Sequence, residues 1–200
     1  PGVSKAGGVA EHPVSLIDLY PTLVDLCGLQ GDTRKNEKGA KLDGYSVRPF
    51  LEDPENGTWS GPEAALTMVY AGECATRPLS GEDKKNPWMQ HLSLRSDRYR
   101  YILYNNGSEE LYDHQTDPNE WDNLASSPEY ADVKEKLSRQ LEAMLPSREE
   151  SAKRAKAASS AGAAQWKDKY FKKHPDADAN GDGELSWPEL QAHKKAAGKK

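Results

Sequence analysis

The twelve residues Asp178-Ala179-Asn180-Gly181-Asp182-Gly183-Glu184-Leu185-Ser186-Trp187-Pro188-Glu189 constrain the chain more than any other stretch of it. Asp, Asn and Gly also build ordinary solvated turns. A plain turn, however, does not demand oxygen donors at six fixed places. Asp178, Asn180 and Asp182 stand at positions 1, 3 and 5 of a calcium loop, the backbone carbonyl of Glu184 at 7, Ser186 at 9 and the bidentate carboxylate of Glu189 at 12. Gly183 falls where such a loop turns sharply, in a conformation cheap only for glycine. A register beginning at Asp176 would put Trp187 at the bidentate position, and an indole cannot chelate.

The residue pattern therefore predicts an EF-hand-type Ca2+ site with Asp178, Asn180, Asp182, Glu184, Ser186 and Glu189 as ligands. There is one such loop, and the incoming segment Trp166 to His174 is stopped by Pro175 just before it. A lone, irregular hand is expected to bind with a Kd of about 10⁻⁴–10⁻³ M, as extracellular modules do, and to stabilise rather than signal.

Composition narrows the rest. The net charge of −5, from 27 basic and 32 acidic residues, argues against a general nucleic-acid binder, which needs a basic face for phosphates. No apolar run approaches the roughly 18 residues of a membrane span. Two cysteines, Cys27 and Cys74, make no disulfide framework, and Cys27 is expected in the core because it lies on an apolar helical stripe. The opening Pro1-Gly2-Val3 reads as a loop already under way, so either the N-terminus was processed or the chain is the C-terminal part of a longer protein, the second being favoured by the resemblance described below.

Leu16, Leu19, Leu23 and Leu26 recur at helical spacing before Gly28, and Tyr45 to Leu51 predicts a short helix closed by Asp53-Pro54. Ala64 to Tyr70 reads as a strand. Residues 71–90 are irregular. The stretch His91 to Tyr104 alternates, with a turn near Ser96-Asp97, and Asn105-Asn106-Gly107 predicts a hairpin returning through Glu110 to Asp113. Ser126-Ser127-Pro128 starts a helix whose stripe Val133, Leu137, Leu141 and Met144 packs on this sheet until Pro146. Ser147 to Gln165 lacks an apolar face and reads as a linker with helical tendency.

The fold class expected from these elements is α+β: a small antiparallel sheet with packed helices, plus a helical EF-hand tail. A linker at 147–165 and the single hand at 166–200, with its basic, solvated end, follow from the same reading.

Residues 1–146 resemble the C-terminal part of the sulfatase family, in its iduronate-2-sulfatase-like bacterial branch. The resemblance rests on Pro13 to Leu23, on Leu42-Asp43-Gly44-Tyr45-Ser46, on Ser93 to Ile102, on Glu109 to Asp113, and on Asp117-Pro118-Asn119-Glu120-Trp121-Asp122-Asn123-Leu124-Ala125. It implies a parent with an α/β alkaline-phosphatase-like core, a formylglycine made within a C/S-x-P-x-R signature, an active-site divalent cation, and a sulfated carbohydrate as substrate. It implies an extracellular or periplasmic location. Segment 1–60 would end the catalytic domain and 61–146 would be its C-terminal subdomain.

Cys74-Ala75-Thr76-Arg77-Pro78 is not that signature, because Thr stands in the proline position and Arg comes one residue early. No catalytic residue is expected within this chain. His91 matches a histidine that often precedes the Ser-x-Arg strand in sulfatases, which implies contact with an anionic sugar; the alternative is a surface histidine at a strand start. Arg95 is expected to anchor its hairpin. Arg77, Lys84 and Lys85 form either a lure for sulfated glycans or a solvated charge cluster. Two other functions compete with a sulfatase: a phosphodiesterase or phosphonate hydrolase of the same superfamily, and a non-catalytic calcium-stabilised binding module.

Overall fold

The computed structural model describes residues 2–30, 36, 37, 39, 41–71, 79 and 81–197. These divide into two compact units. One comprises Pro1–Thr76 with Gln90–Pro146, the other Arg77–Met89 with Ser147–Lys200. Among the described residues no helix is long and apolar enough to cross a membrane.

The first unit is built on a four-stranded antiparallel meander of β1 (Ala65–Val69), β2 (His91–Arg95), β3 (Tyr99–Leu103) and β4 (Glu109–Asp113), in that spatial order. Alternation dictates the two faces. Leu92 pairs with Leu103, Leu94 with Tyr101, and Tyr101 with Leu111, so Leu92, Leu94, Tyr101 and Leu111 share one face and are all but fully buried. Helix α3 (Ala131–Ala143) supplies Leu137 and Leu141 to the same core at i and i+4. The Tyr101 hydroxyl donates to Glu109 at 2.5 Å, which Lys134 of α3 also reaches at 3.0 Å. The expected α+β arrangement is thus the observed one. Ser127 precedes the 3₁₀ turn that leads into α3, but its side chain makes no capping bond.

Arg98 in the β2–β3 turn grips Asp113 through two bonds of 2.8 and 2.6 Å, and Asp113 is completely buried. The guanidinium holds this carboxyl below its ordinary value despite burial. Arg95 donates to the carbonyls of Ser96, Asp97 and Tyr99, as expected of a hairpin anchor.

The segment before β1 is tied around Asp18, which is 4% exposed. Its carboxylate accepts from the N–H groups of Ser15 (2.7 Å) and Tyr45 (2.9 Å). Thr22 donates to the Asp18 carbonyl at 2.6 Å and accepts from Val47 N–H at 2.9 Å. The chain can pass this close only at Gly44, where a Cβ would lie 2.2 Å from the Ile17 carbonyl oxygen.

That knot fixes α1 (Leu19–Leu26) against α2 (Arg48–Glu52). It leaves Leu16, Ile17, Leu19 and Leu23 more than half exposed. Cys27 is exposed too, which corrects the expectation that it sits in the core: the stripe it belongs to faces outward here.

In the second unit, Ser147 caps α4 (Arg148–Lys173) by accepting from Glu150 N–H at 3.1 Å. The residues read as a linker, 147–165, therefore hold the cap and most of one 26-residue helix. Arg148 stacks 4.1 Å over Trp88, and Lys85 donates to the Ala158 carbonyl at 2.6 Å. After α4 come a 3₁₀ turn (Pro175–Ala177), the acidic loop, and α5 (Trp187–Ala197). Ala177, Leu185 and Leu190 form a small core against Tyr170 and Phe171. The Cys74 to Pro78 stretch, Arg77 and the final lysines lie outside the described residues.

Candidate functional site

Two places named from the sequence lie among the described residues. The first is the acidic loop between α4 and α5. The Asp178 carboxylate accepts from the N–H groups of Gly181 (2.8 Å) and Gly183 (2.9 Å), and Gly183 has φ +83°. Asn180 accepts from Asp182 N–H at 2.9 Å, and Asp182 accepts from Glu184 N–H at 2.8 Å. Glu189, in the first turn of α5, joins the loop's beginning to its end. One carboxylate oxygen accepts from Asn180 N–H at 3.2 Å, the other from Ser186 N–H at 2.9 Å and Ser186 Oγ at 2.6 Å. The Ser186 hydroxyl and then these N–H groups hold the Glu189 carboxyl below its ordinary value.

The side chains of Asp178, Asn180, Asp182, Ser186 and Glu189 thus bond to the loop backbone. The donor set is all oxygen, which fits a hard cation such as Ca2+. Three carboxyl or imidazole ligand atoms already drawn within 4.8 Å of one another occur, among the described residues, elsewhere: at His174, Asp176 and His193. Cation binding in the loop would have to draw Asp178, Asp182 and Glu189 further inward.

The second place is the sheet face opposite the core. His91, Ser93 and Arg95 alternate along β2 and line a groove of about 350 Å³ with Thr67, Val69, Arg100, Ile102 and Tyr104. His91 packs edge-on against Tyr104, centroids 5.1 Å apart, and Nδ1 accepts from Asn105 N–H at 3.4 Å. Burial, then the charge of Arg100, pushes Arg95 below its ordinary value. Arg100 pairs with Glu120 at 3.0 Å, and His114 Nε2 lies 2.6 Å from the same oxygen. Glu120 takes a left-handed backbone (φ 59°), unusual for a residue with a side chain, and these two partners hold it there. Burial and then Glu110 push the Tyr112 phenol beside this network up to about 12.

Residues 1–147 fit the family described as N-sulphoglucosamine sulphohydrolase, C-terminal. The chain belongs to this sulfatase family. An ulvan-active sulfatase of Formosa agariphila is 54% identical over 156 residues, covering 68% of this chain and 30% of the relative.

Among solved structures, BT4656 in complex with its substrate D-glucosamine-2-N,6-O-disulfate superposes with a TM-score of 0.56 at 23% identity. That match covers 76% of this chain and 27% of the other. The phosphonate monoester hydrolase SpPMH from Silicibacter pomeroyi superposes with a TM-score of 0.50 at 26% identity, covering 70% and 26%. The chain spans between a fifth and a third of the length of the curated sulfatases it matches. The antiparallel sheet with its packed helices is the C-terminal part of a sulfatase fold.

Three features are not readable from local motifs. Arg98 and Asp113 are 15 residues apart, although pairing Tyr99 with Asp113 across the hairpin would have suggested them. His174 and Asp176 meet His193 only because the loop folds back. A further cleft of about 510 Å³, lined by His12, Glu63, Arg98 and Lys136, draws on widely separated segments.

Proposed function

We propose that this chain is the C-terminal part of a secreted sulfatase that hydrolyses sulfate esters of carbohydrates, and that its tail binds one Ca2+. The observation that carries the first half is the family match over 1–147, supported by relatives whose names are those of sulfatases. In this reading the formylglycine nucleophile and catalytic cation come from the portion of the sulfatase fold that the chain does not span. That cation would stabilise charge on the sulfuryl oxygens. The outward Leu16, Ile17, Leu19 and Leu23 are the face on which that portion rests, since a patch of this kind is normally covered.

The role of this chain is to wall the substrate site. The sheet-face groove presents His91 beside two guanidinium groups, Arg95 and Arg100, a combination suited to an anionic sugar. With Nδ1 of His91 accepting from Asn105, Nε2 is the atom for the substrate. The Ca2+ reading rests on the oxygen ligands of Asp178, Asn180, Asp182, Glu184, Ser186 and Glu189 and on the closure of the loop by Glu189. In it the ion braces the junction of α4 and α5 and takes no part in catalysis.

The test is steady-state kinetics of the whole sulfatase polypeptide on a sulfated oligosaccharide. His91→Ala is expected to raise KM about tenfold with kcat nearly unchanged, the signature of lost uniform binding. Unaltered KM would remove His91 from the substrate site.

A further inference from the structure

We propose that His174, Asp176 and His193 form a second metal site, separate from the calcium loop and suited to zinc. The residues come from three places. His174 caps the C-terminus of α4, Asp176 sits in the 3₁₀ turn, and His193 lies within α5. Their ligand atoms lie within 4.8 Å of one another. Nε2 of His193 is 3.0 Å from Asp176 Oδ2. The His174 and His193 rings are 5.3 Å apart.

A tetrahedral zinc with ligands at about 2.0–2.1 Å holds neighbouring donors about 3.4 Å from one another. The His193–Asp176 pair is already near that spacing. The remaining closure is about 1.4 Å at most. The closure draws His174 and Asp176, whose side chain is 75% exposed, toward His193, whose side chain is only 17% exposed.

A ligating histidine usually uses its second nitrogen in a bond that orients the ring. His193 has this: Nδ1 lies 2.9 Å from the Tyr170 hydroxyl, and the Tyr170 ring packs on His174 at 4.6 Å. With Nε2 on the metal, Nδ1–H donates to Tyr170. Two imidazoles and one carboxylate leave a fourth position for water, and imidazole selects zinc-like ions over Ca2+ or Mg2+, which take oxygen ligands. The loop and this site therefore discriminate by donor chemistry. Zinc here would pin the end of α4 to α5.

The experiment titrates Zn2+ into the untagged 200-residue chain with Ca2+ saturating, in competition with a chromophoric chelator. One tightly bound equivalent, at a Kd of about 10 μM or below, is expected. His174→Gln and His193→Gln should each weaken it at least ~10-fold, Tyr170→Phe by about 10-fold, and Glu189→Gln not at all. Co2+ bound to the unsubstituted chain should show the visible absorption of a tetrahedral centre, a readout that needs no variant. Zinc binding retained in the His174→Gln/His193→Gln double variant would overturn the proposal, as would a Co2+ spectrum indistinguishable from the aquo ion. In either case the cluster is a hydrogen-bonded clasp only.

Discussion

Replacing Gly44 by alanine adds one methyl at the tightest passage of the first unit. That carbon would stand 2.2 Å from the Ile17 carbonyl oxygen, 2.6 Å from its carbonyl carbon and 3.0 Å from the Asp18 nitrogen. All three are backbone atoms, so no side-chain rotation relieves the clash, and the Asp43–Tyr45 segment must move. Overpacking of this kind costs about 1–3 kcal/mol.

The movement also pulls Tyr45 N–H from the Asp18 carboxylate and Val47 N–H from Thr22 Oγ1, both in nearly buried surroundings. Leaving one buried polar group unpaired adds about 1–3 kcal/mol. The sum is about 2–6 kcal/mol. At ~2–4 °C per kcal/mol for a chain of this size, the melting temperature should fall by roughly 4–24 °C.

Urea unfolding followed by far-UV circular dichroism measures the change. Thr22→Val serves as a partner, because it removes the same Val47 bond by another route. The two substitutions break one network, so their combined cost should be less than the sum of the separate costs. A Gly44→Ala loss below ~0.5 kcal/mol, or strict additivity with Thr22→Val, would refute the reasoning that one knot holds this segment.

Arg98→Met should flatten the acid limb of the stability–pH curve. The Asp113 carboxyl is held low in the folded chain, so the pair contributes stability above the ordinary carboxylate pKa and loses it as pH falls through the folded value. Without Arg98 that loss on acidification should shrink, as urea melts across the acid range would show. For the loop, calorimetric titration should give one Ca2+ per chain, with Glu189→Gln weakening it more than Ser186→Ala, since water replaces the serine but not the bidentate carboxylate. Equal affinities for Glu189→Gln and the unsubstituted chain would make the loop a plain acidic turn.

The sheet was legible because its signals are local. Strict alternation through Leu92, Leu94, Tyr101 and Leu111, and the Asn105-Asn106-Gly107 turn, leave one register that buries one face. Leu137 and Leu141 declared the face of α3 in the same way. The first half of α4 was harder to read, because a helix without an apolar stripe shows itself only through its cap and through pairs such as Glu150–Arg154. Cys27 misled because an apolar stripe reveals that a face wants cover, not that this chain supplies it. His174, Asp176 and His193 escaped notice because a turn and a loop separate the two histidines in sequence. The six loop residues are proposed from their spacing, and the calcium titration above is their test.

For the proposed sulfate-ester hydrolase, the similarity of this chain to a phosphonate monoester hydrolase defines the sharpest contrast. The decisive measurement compares kcat/KM of the whole polypeptide for an aryl sulfate and for the matching aryl phosphonate monoester under identical conditions. The sulfate is expected to be preferred by at least ~100-fold, about 2.7 kcal/mol of transition-state discrimination. A preference for the phosphonate would contradict this expectation.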